Sequence, residues 1–331
     1  MKEENKKEKI AAVVVTYNRK ELLKECLDAL LNQTYSLDSI ILIDNASTDS
    51  TPEFLEEQGY LKNPKIDYVR LPENIGGAGG FHEGVKRGYE KNYDWLWLMD
   101  DDAEPKKDAL EKLSKYFDKD NLSALASSVI LTNGVISHSH RGSIDLNCIF
   151  PMPQKPLEPK FYRRNYIEID MASFVGVLVN RKAIQKIGYP KKEFFIYCDD
   201  VEYCIRLRQV GKILLVPDSV IVHKEATQGA RLTKSFIRRK SIRTPYDKFW
   251  LNYYSERNLV WLGTKYSTNK IKFYLDLCGN FLKLVIGVLI YDDCKSRRIY
   301  SIANAYIDGL RGNFDNGKPK RVLYNKIKTK K

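Results

Sequence analysis

Residues 94–102 read DWLWLMDDD, a run of large apolar side chains that ends abruptly in three aspartates. Trp95 to Met99 carry no charge and include two tryptophans, which is the composition of a strand buried on both faces. Asp100, Asp101 and Asp102 then stand at its carboxyl end. Three acids there can cap a turn or helix ahead of Pro105. They can equally supply oxygen ligands to Mg²⁺ or Mn²⁺, because like charges crowded at one strand end repel unless a cation neutralises them.

Upstream, strand and helix patterns alternate. The run IAAVVVT (10–16) reads as a buried parallel strand. Residues 19–33 follow with Leu22, Leu23, Cys26, Leu27, Leu30 and Leu31 at helical spacing. A second strand over 39–43 ends at Asp44 and Asn45. A short helix over 49–58 tolerates Pro52 in its first turn, and a third strand covers 66–71. This alternation predicts an α/β fold with a doubly wound, mostly parallel sheet. Ligands bind such sheets at the carboxyl ends of the strands. Thr16, Tyr17, Asn18, Asp44, Asn45 and the aspartate triplet all fall at those ends, as a nucleotide site requires.

The stretch NIGGAGG (74–80) precedes a helix through Tyr89. It is neither GxGxxG nor a Walker sequence. It fits an ordinary flexible loop, or a backbone that a ligand approaches closely.

Downstream, residues 121–222 are richer in strand patterns, and 151–159 form a proline-dense loop. Asp199-Asp200-Val-Glu202 opens a helix over 201–210. Acids there favour the helix dipole, and a carboxylate fixed at an element terminus also suits a general base. Strands over 212–216 and 220–222 end at His223, an imidazole that is either structural or the completion of a metal site begun by the aspartates.

Charge is distributed unevenly. The chain of 331 residues has 55 Lys/Arg and 42 Asp/Glu, a formal net charge of +13. Lys224 onward holds 24 basic and 8 acidic residues, against 31 and 34 before it. A nearly neutral catalytic core with a basic C-terminal third disfavours a nucleic-acid binder and fits an anionic surface better. The cysteines at 26, 148, 198, 204, 278 and 294 include no CxxC pair. That argues against structural zinc and for small apolar packing in a reducing compartment. The polar residues 1–9 lack the apolar stretch of a signal peptide.

In the last third, YDKFWLNYYSERNLVW (246–261) mixes aromatics with charge, and 270–291 and 297–310 are amphipathic. The best candidate for a membrane span, 274–291, is interrupted by Asp276, Asn280 and Lys283, whereas a span needs roughly 20 mostly apolar residues. These segments fit a helical cover on the core, and also attachment to an anionic membrane surface through 246–311. The final residues read as a mobile basic tail.

The ordered set VVVTYNR (13–19), IDNASTD (43–49), ENIGGAGGF (73–81), WLMDDDAEP (97–105), FFIYCDDVEYCIRL (194–207) and VPDSVIVHKE (216–225) resembles family 2 glycosyltransferases of the GT-A fold. Within them it looks most like bacterial galactofuranosyltransferases and the related rhamnosyltransferases. The resemblance implies a Rossmann-like catalytic domain over 10–225, with a nucleotide-binding half (10–120) and an acceptor half (121–225). A polar lead-in (1–9) would precede it, and a helical subdomain (226–316) and basic tail (317–331) would follow.

The resemblance also implies residue roles. Thr16, Asn18, Arg19, Asp44, Asn45, Gly76, Gly77, Asp100 and Asp101 would hold the nucleotide sugar, UDP-galactofuranose being the first choice. Asp100, Asp102 and His223 would bind Mn²⁺ or Mg²⁺. Asp200 would be the catalytic base, with Asp199, Glu202 and Tyr197 placing a glycan or lipid-linked acceptor. The DDDA form and the GGAGGF loop favour galactofuranosyl over rhamnosyl transfer. The galactan polymerases of this kind are longer and carry an extra N-terminal β-domain, so addition of one or a few sugars is expected.

Such a reaction must stabilise a departing diphosphate and deprotonate an acceptor hydroxyl. One in-line displacement inverts the anomeric centre. The location expected is cytoplasmic, peripheral at the inner face of a bacterial membrane, in synthesis of a cell-wall or surface polysaccharide. Oligomeric state is open. Two competing readings are a dTDP-rhamnose-dependent transferase and a catalytically dead sugar-binding scaffold.

Overall fold

The computed structural model describes residues 8–224, 232–236 and 239–325. Residues 1–7 of the polar lead-in, Glu225 of the last motif and 326–331 of the tail lie outside them.

The chain begins with β1 (Ile10–Thr16), α1 (Lys20–Leu31), β2 (Ser39–Asp44), α2 (Thr51–Glu57), β3 (Ile66–Arg70), α3 (Gly76–Glu90) and β4 (Trp95–Asp100). It continues through β5 (Ala103–Pro105), α4 (Ala109–Ser114), β6 (Leu122–Ile130), β7 (Arg141–Ile144), β8 (Gln154–Pro156), β9 (Ile167–Ile169), β10 (Met171–Ala172), β11 (Val177–Asn180), α5 (Arg181–Ile187), α6 (Asp199–Val210) and β12 (Lys212–His223). Then come β13 (Leu232–Phe236), β14 (Arg239–Arg243), α7 (Trp250–Tyr266), α8 (Lys270–Tyr291), α9 (Lys295–Arg311) and α10 (Lys318–Tyr324).

The described residues form two compact units. The first comprises 8–144, 154–192 and 199–224; the second comprises 145–153, 193–198 and the described residues from 232 on. Two short segments inside the 10–225 span therefore belong to the second unit.

The first unit is built on a mixed, mostly parallel sheet of order β3-β2-β1-β4-β11-β6-β12-β5, flanked by helices. Strands β1 to β4 are parallel, as their crossover helices require. β11 runs antiparallel between β4 and β6, and β12 is parallel to β6. Every residue of β1 and β2 is buried, which accounts for their largely apolar sequence. Two hydrophobic layers cover the faces. Leu23, Leu27 and Trp97 lie in one, and Phe81, Val85 and Tyr203 in the other.

The glycine-rich stretch is not a loop. α3 starts at Gly76, and Gly80, Gly84 and Gly88 face the sheet, against Val15, Val13 and Leu96. A Cβ at Gly84 would stand 2.3 Å from Val13 Cγ1, so the missing side chain lets the helix lie close against β1. The segments expected at 212–216 and 220–222 are one strand, β12, with a register shift between Val216 and Val220.

The second unit is helical, with the hairpin of β13 and β14 attached. α7 and α9 bury Tyr253, Tyr254, Arg257 and Asn258, and Arg298, Ile302 and Tyr306 respectively. Residues 318–324, read from sequence as part of a mobile tail, are helical. Leu323 is buried and its carbonyl accepts from Tyr246 Oη at 2.6 Å. α8 is an unbroken helix of 22 residues, long and apolar enough by length and composition to cross a membrane. Asp276, Asn280 and Lys283, which interrupt the apolar run, all lie within this one helix. The cysteines also depart from expectation: Cys26, Cys198 and Cys204 are buried, but Cys278 and Cys294 are exposed.

Candidate active site

β4 delivers Asp100 at its last position, and the chain turns at Asp101 and Asp102 into β5. β5 pairs antiparallel with the end of β12, setting Ala103 opposite His223. The Lys224 amide donates to the Asp102 carbonyl at 3.0 Å. This short ladder puts His223 Nε2 3.0 Å from Asp102 Oδ1. One ligand atom from each of Asp100, Asp102 and His223 lies within 4.8 Å of the others. Two carboxylates and an imidazole form a donor set suited to Mn²⁺ and acceptable to Mg²⁺.

The triplet divides its labour. Asp101 turns inward, accepting from Thr16 Oγ1 at 2.7 Å and Arg19 Nη1 at 3.0 Å. The same Arg19 nitrogen is 3.1 Å from Asp102 Oδ2. Burial pushes Asp100 up to about 7, with the charges of Asp102 and Asp101 adding to it. A divalent ion fits that environment, because it would hold Asp100 ionised where burial and its neighbours favour protonation. Burial likewise pushes Asp101 to about 6, against the pull of Arg19 and Thr16.

α6 opens with the second acidic pair. Burial holds Asp199 well above the usual carboxylate range, helped by the adjacent charge of Asp200 and more weakly by that of Asp100. Asp200 is pushed to about 6 by burial, while a bond from the Val201 amide and the charge of Arg141 pull it down. The two acidic corners therefore share one electrostatic neighbourhood. Glu202 is committed elsewhere in the fold: it is buried in a two-pronged pair with Arg206, at 2.9 and 2.7 Å. Tyr197 belongs to the second unit, exposed and at φ +69°.

The remaining predicted donor-binding residues organise the loops at the strand ends. Asn18, at φ +56°, accepts from the Thr48 amide at 2.6 Å and so ties the loop after β1 to that after β2. Asp44 is fully buried, accepting from the Ser47 amide and from Tyr68 Oη, both at 2.8 Å. Asn45 bridges to the start of α3, donating to the Gly76 carbonyl and accepting from the Ile75 amide. Gly77 faces open space. Arg19, Asp100, Asp102 and His223 thus come together directly, with Thr16 behind them, while Asp44 and Asn45 shape the adjoining loop.

Two residues escaped the sequence reading. His140 lies edge-on to His223, ring centroids 4.9 Å apart, and burial pushes it down to about 3, so it is neutral. Arg141 is fully buried and donates to the carbonyls of Ser127, His140 and Val175. The signal was the sequence HSHR (138–141), two histidines and an arginine alternating in a strand-rich region.

A family model described as glycosyl transferase family 2 matches residues 11–188. Galactofuranosyltransferase GlfT1 of Mycolicibacterium smegmatis is 29% identical over 226 residues, 62% of this chain and 67% of that protein. The chain thus spans about two thirds of that relative. The dTDP-rhamnosyl transferase RfbF of Shigella flexneri is 23% identical over 309 residues, 92% of this chain and 96% of that one. Among solved structures, GalNAc-T7 with UDP, GalNAc and Mn²⁺ aligns with a TM-score of 0.55 at 17% identity, covering 86% of this chain and 58% of that one. That likeness carries the GT-A fold.

Proposed function

This chain belongs to glycosyl transferase family 2 and is a glycosyltransferase, and from that premise we propose that it moves galactofuranose from UDP-galactofuranose onto a surface glycan or lipid-linked oligosaccharide, with inversion. The carrying observation is the Asp100–Asp102–His223 group at the carboxyl end of β4, where the charge of Asp100 is felt by Asp199 at the start of α6.

In this reading Asp100, Asp102 and His223 would hold Mn²⁺ or Mg²⁺, which when bound neutralises charge developing on the leaving diphosphate. Arg19 holds Asp101 and Asp102 in place. Thr16 and Asn18 fix the loops against which the nucleotide lies, with Asp44, Asn45, Gly76 and Gly77 shaping the neighbouring wall. Asp200 accepts the proton of the acceptor hydroxyl as that oxygen attacks the anomeric carbon. Asp199, which burial and the adjacent Asp200 charge push above the usual carboxylate range, lies next to it on the acceptor side. Tyr197 and Glu202 act on the acceptor side, Glu202 through its pairing with Arg206.

The galactofuranosyl choice is supported by the match to the mycobacterial enzyme. A rhamnosyl donor is the second reading, favoured by the longer span of the RfbF match. The division into a catalytic domain over 10–225 and a helical subdomain over 226–316 is part of the same proposal. So is a cytoplasmic location at the inner face of a bacterial membrane. A screen of UDP-galactofuranose, UDP-galactopyranose, UDP-glucose and dTDP-rhamnose with Mn²⁺, scored by nucleotide release, tests the donor. Release from UDP-galactofuranose above the others is expected. Release from dTDP-rhamnose alone would overturn the donor choice, and release from none would exclude all four donors.

A further inference from the structure

The turn over 193–198 holds three non-glycine residues in a left-handed conformation that they avoid. Phe195, Tyr197 and Cys198 stand at φ +65°, +69° and +63°. Large side chains rarely enter this region and stay there only when their surroundings over-determine it. The next residue in the chain is Asp199, the first of α6.

Helix α7 supplies what the turn needs. Asn258, fully buried, directs Nδ2 at three carbonyls of the turn: Phe194 at 3.1 Å, Ile196 at 3.1 Å and Tyr197 at 2.9 Å. Its Oδ1 accepts from Arg257 Nε at 3.0 Å, which fixes the orientation of the amide. Arg257, also fully buried, donates through Nη2 to the carbonyls of Glu193 and Phe194 at 3.1 and 3.0 Å, and through Nη1 to Asn316 Oδ1. Rings complete the grip: Phe195 stacks on Tyr254 at 4.7 Å and Phe194 meets Trp261 edge-on at 5.4 Å. Turn and helix belong to the same compact unit, separate from the one that contains Asp199.

We propose that Arg257 and Asn258 are positioning residues for the Asp199-Asp200 pair, clamping the strained turn from which α6 starts. The inference rests on the reading of Asp200 as base. A carboxylate displaced by about 1 Å loses on the order of 10²-fold in rate, so a clamp on its point of departure bears on turnover more than on donor affinity.

The test compares wild type with Asn258→Ala and Arg257→Lys, the second keeping a cation and donors. Amide exchange across 193–200 in Asn258→Ala is expected to accelerate at least ~10-fold, with the remainder of α7 unchanged. Its kcat should fall roughly 10- to 100-fold while UDP affinity with Mn²⁺ stays within about threefold. Arg257→Lys should keep most of the wild-type rate. Should Asn258→Ala fail to fold, Asn258→Ser, which retains one donor, serves the same comparison. A folded variant with wild-type exchange and wild-type kcat overturns the proposal, as does an equal loss of UDP affinity. Exchange needs no donor or acceptor, so it judges the clamp independently. Normal turnover by Asp200→Asn would instead sink the base assignment.

Discussion

His223 and Asp102 are 121 positions apart in sequence, yet Nε2 of the first stands 3.0 Å from Oδ1 of the second. The cause is local: the three residues of β5 fold back onto the last three of β12. An Asp-Asp-His corner is thereby assembled from two strand ends that no sequence spacing connects.

Turnover should follow the ionisation of Asp200. Its carboxyl is pushed to about 6, so activity rises with pH as the proton leaves, with an acid limb near that value. Stability runs the other way. The folded protein binds this proton more tightly than the unfolded chain, so the site loses stability as pH rises from about 4 through about 6. Asp200→Asn is expected to lower kcat by about 10²–10⁴ and abolish that limb. It should also raise the melting temperature above pH 6. A kinetic profile and a thermal melt at pH 5 and 7.5 check both signs.

Arg141 predicts a stability effect. Its guanidinium is fully buried and satisfies the carbonyls of Ser127, His140 and Val175. Arg141→Met removes those donors and should cost on the order of 3 kcal/mol in denaturant unfolding. It also withdraws a positive charge felt by Asp200, so the acid limb should move to higher pH.

The outer face of α8 predicts a surface partner. Ile271, Leu275, Leu282, Ile286 and Leu289 recur at helical spacing and are all exposed. Lys270, Lys272 and Lys283 lie on the same helix, within the basic third of the chain. Binding to vesicles containing an anionic phospholipid at low salt is expected, with a steep decline as salt rises. Leu275→Glu together with Leu282→Glu should reduce it at least tenfold. Equal sedimentation of wild type and variant with the vesicles would refute attachment through this face.

Much of the architecture was legible in the sequence. The uncharged strands, their polar carboxyl ends and the acidic clusters at 100–102 and 199–200 carry local signals, because burial dictates composition. Less legible was whatever depends on close approach between distant segments. The glycines of α3 look like a loop until Val13 is seen beneath Gly84. The partners of Asp44 and Glu202 are equally hidden in the sequence: Ser47 and Tyr68 bond the one and Arg206 the other. His140 and Arg141 sit in an irregular stretch where no periodicity marks them. The antiparallel insertion of β11 likewise depends on pairing that sequence alone does not encode.

The central claim is that Asp100, Asp102 and His223 act together on a metal-bound nucleotide diphosphate. Calorimetric titration of UDP into this chain, with and without Mn²⁺, tests it most directly. Wild type should bind UDP at least tenfold more tightly with the ion present, and Asp102→Asn and His223→Ala should lose that gain. Equal UDP affinity with and without Mn²⁺, unchanged in both variants, would contradict the account.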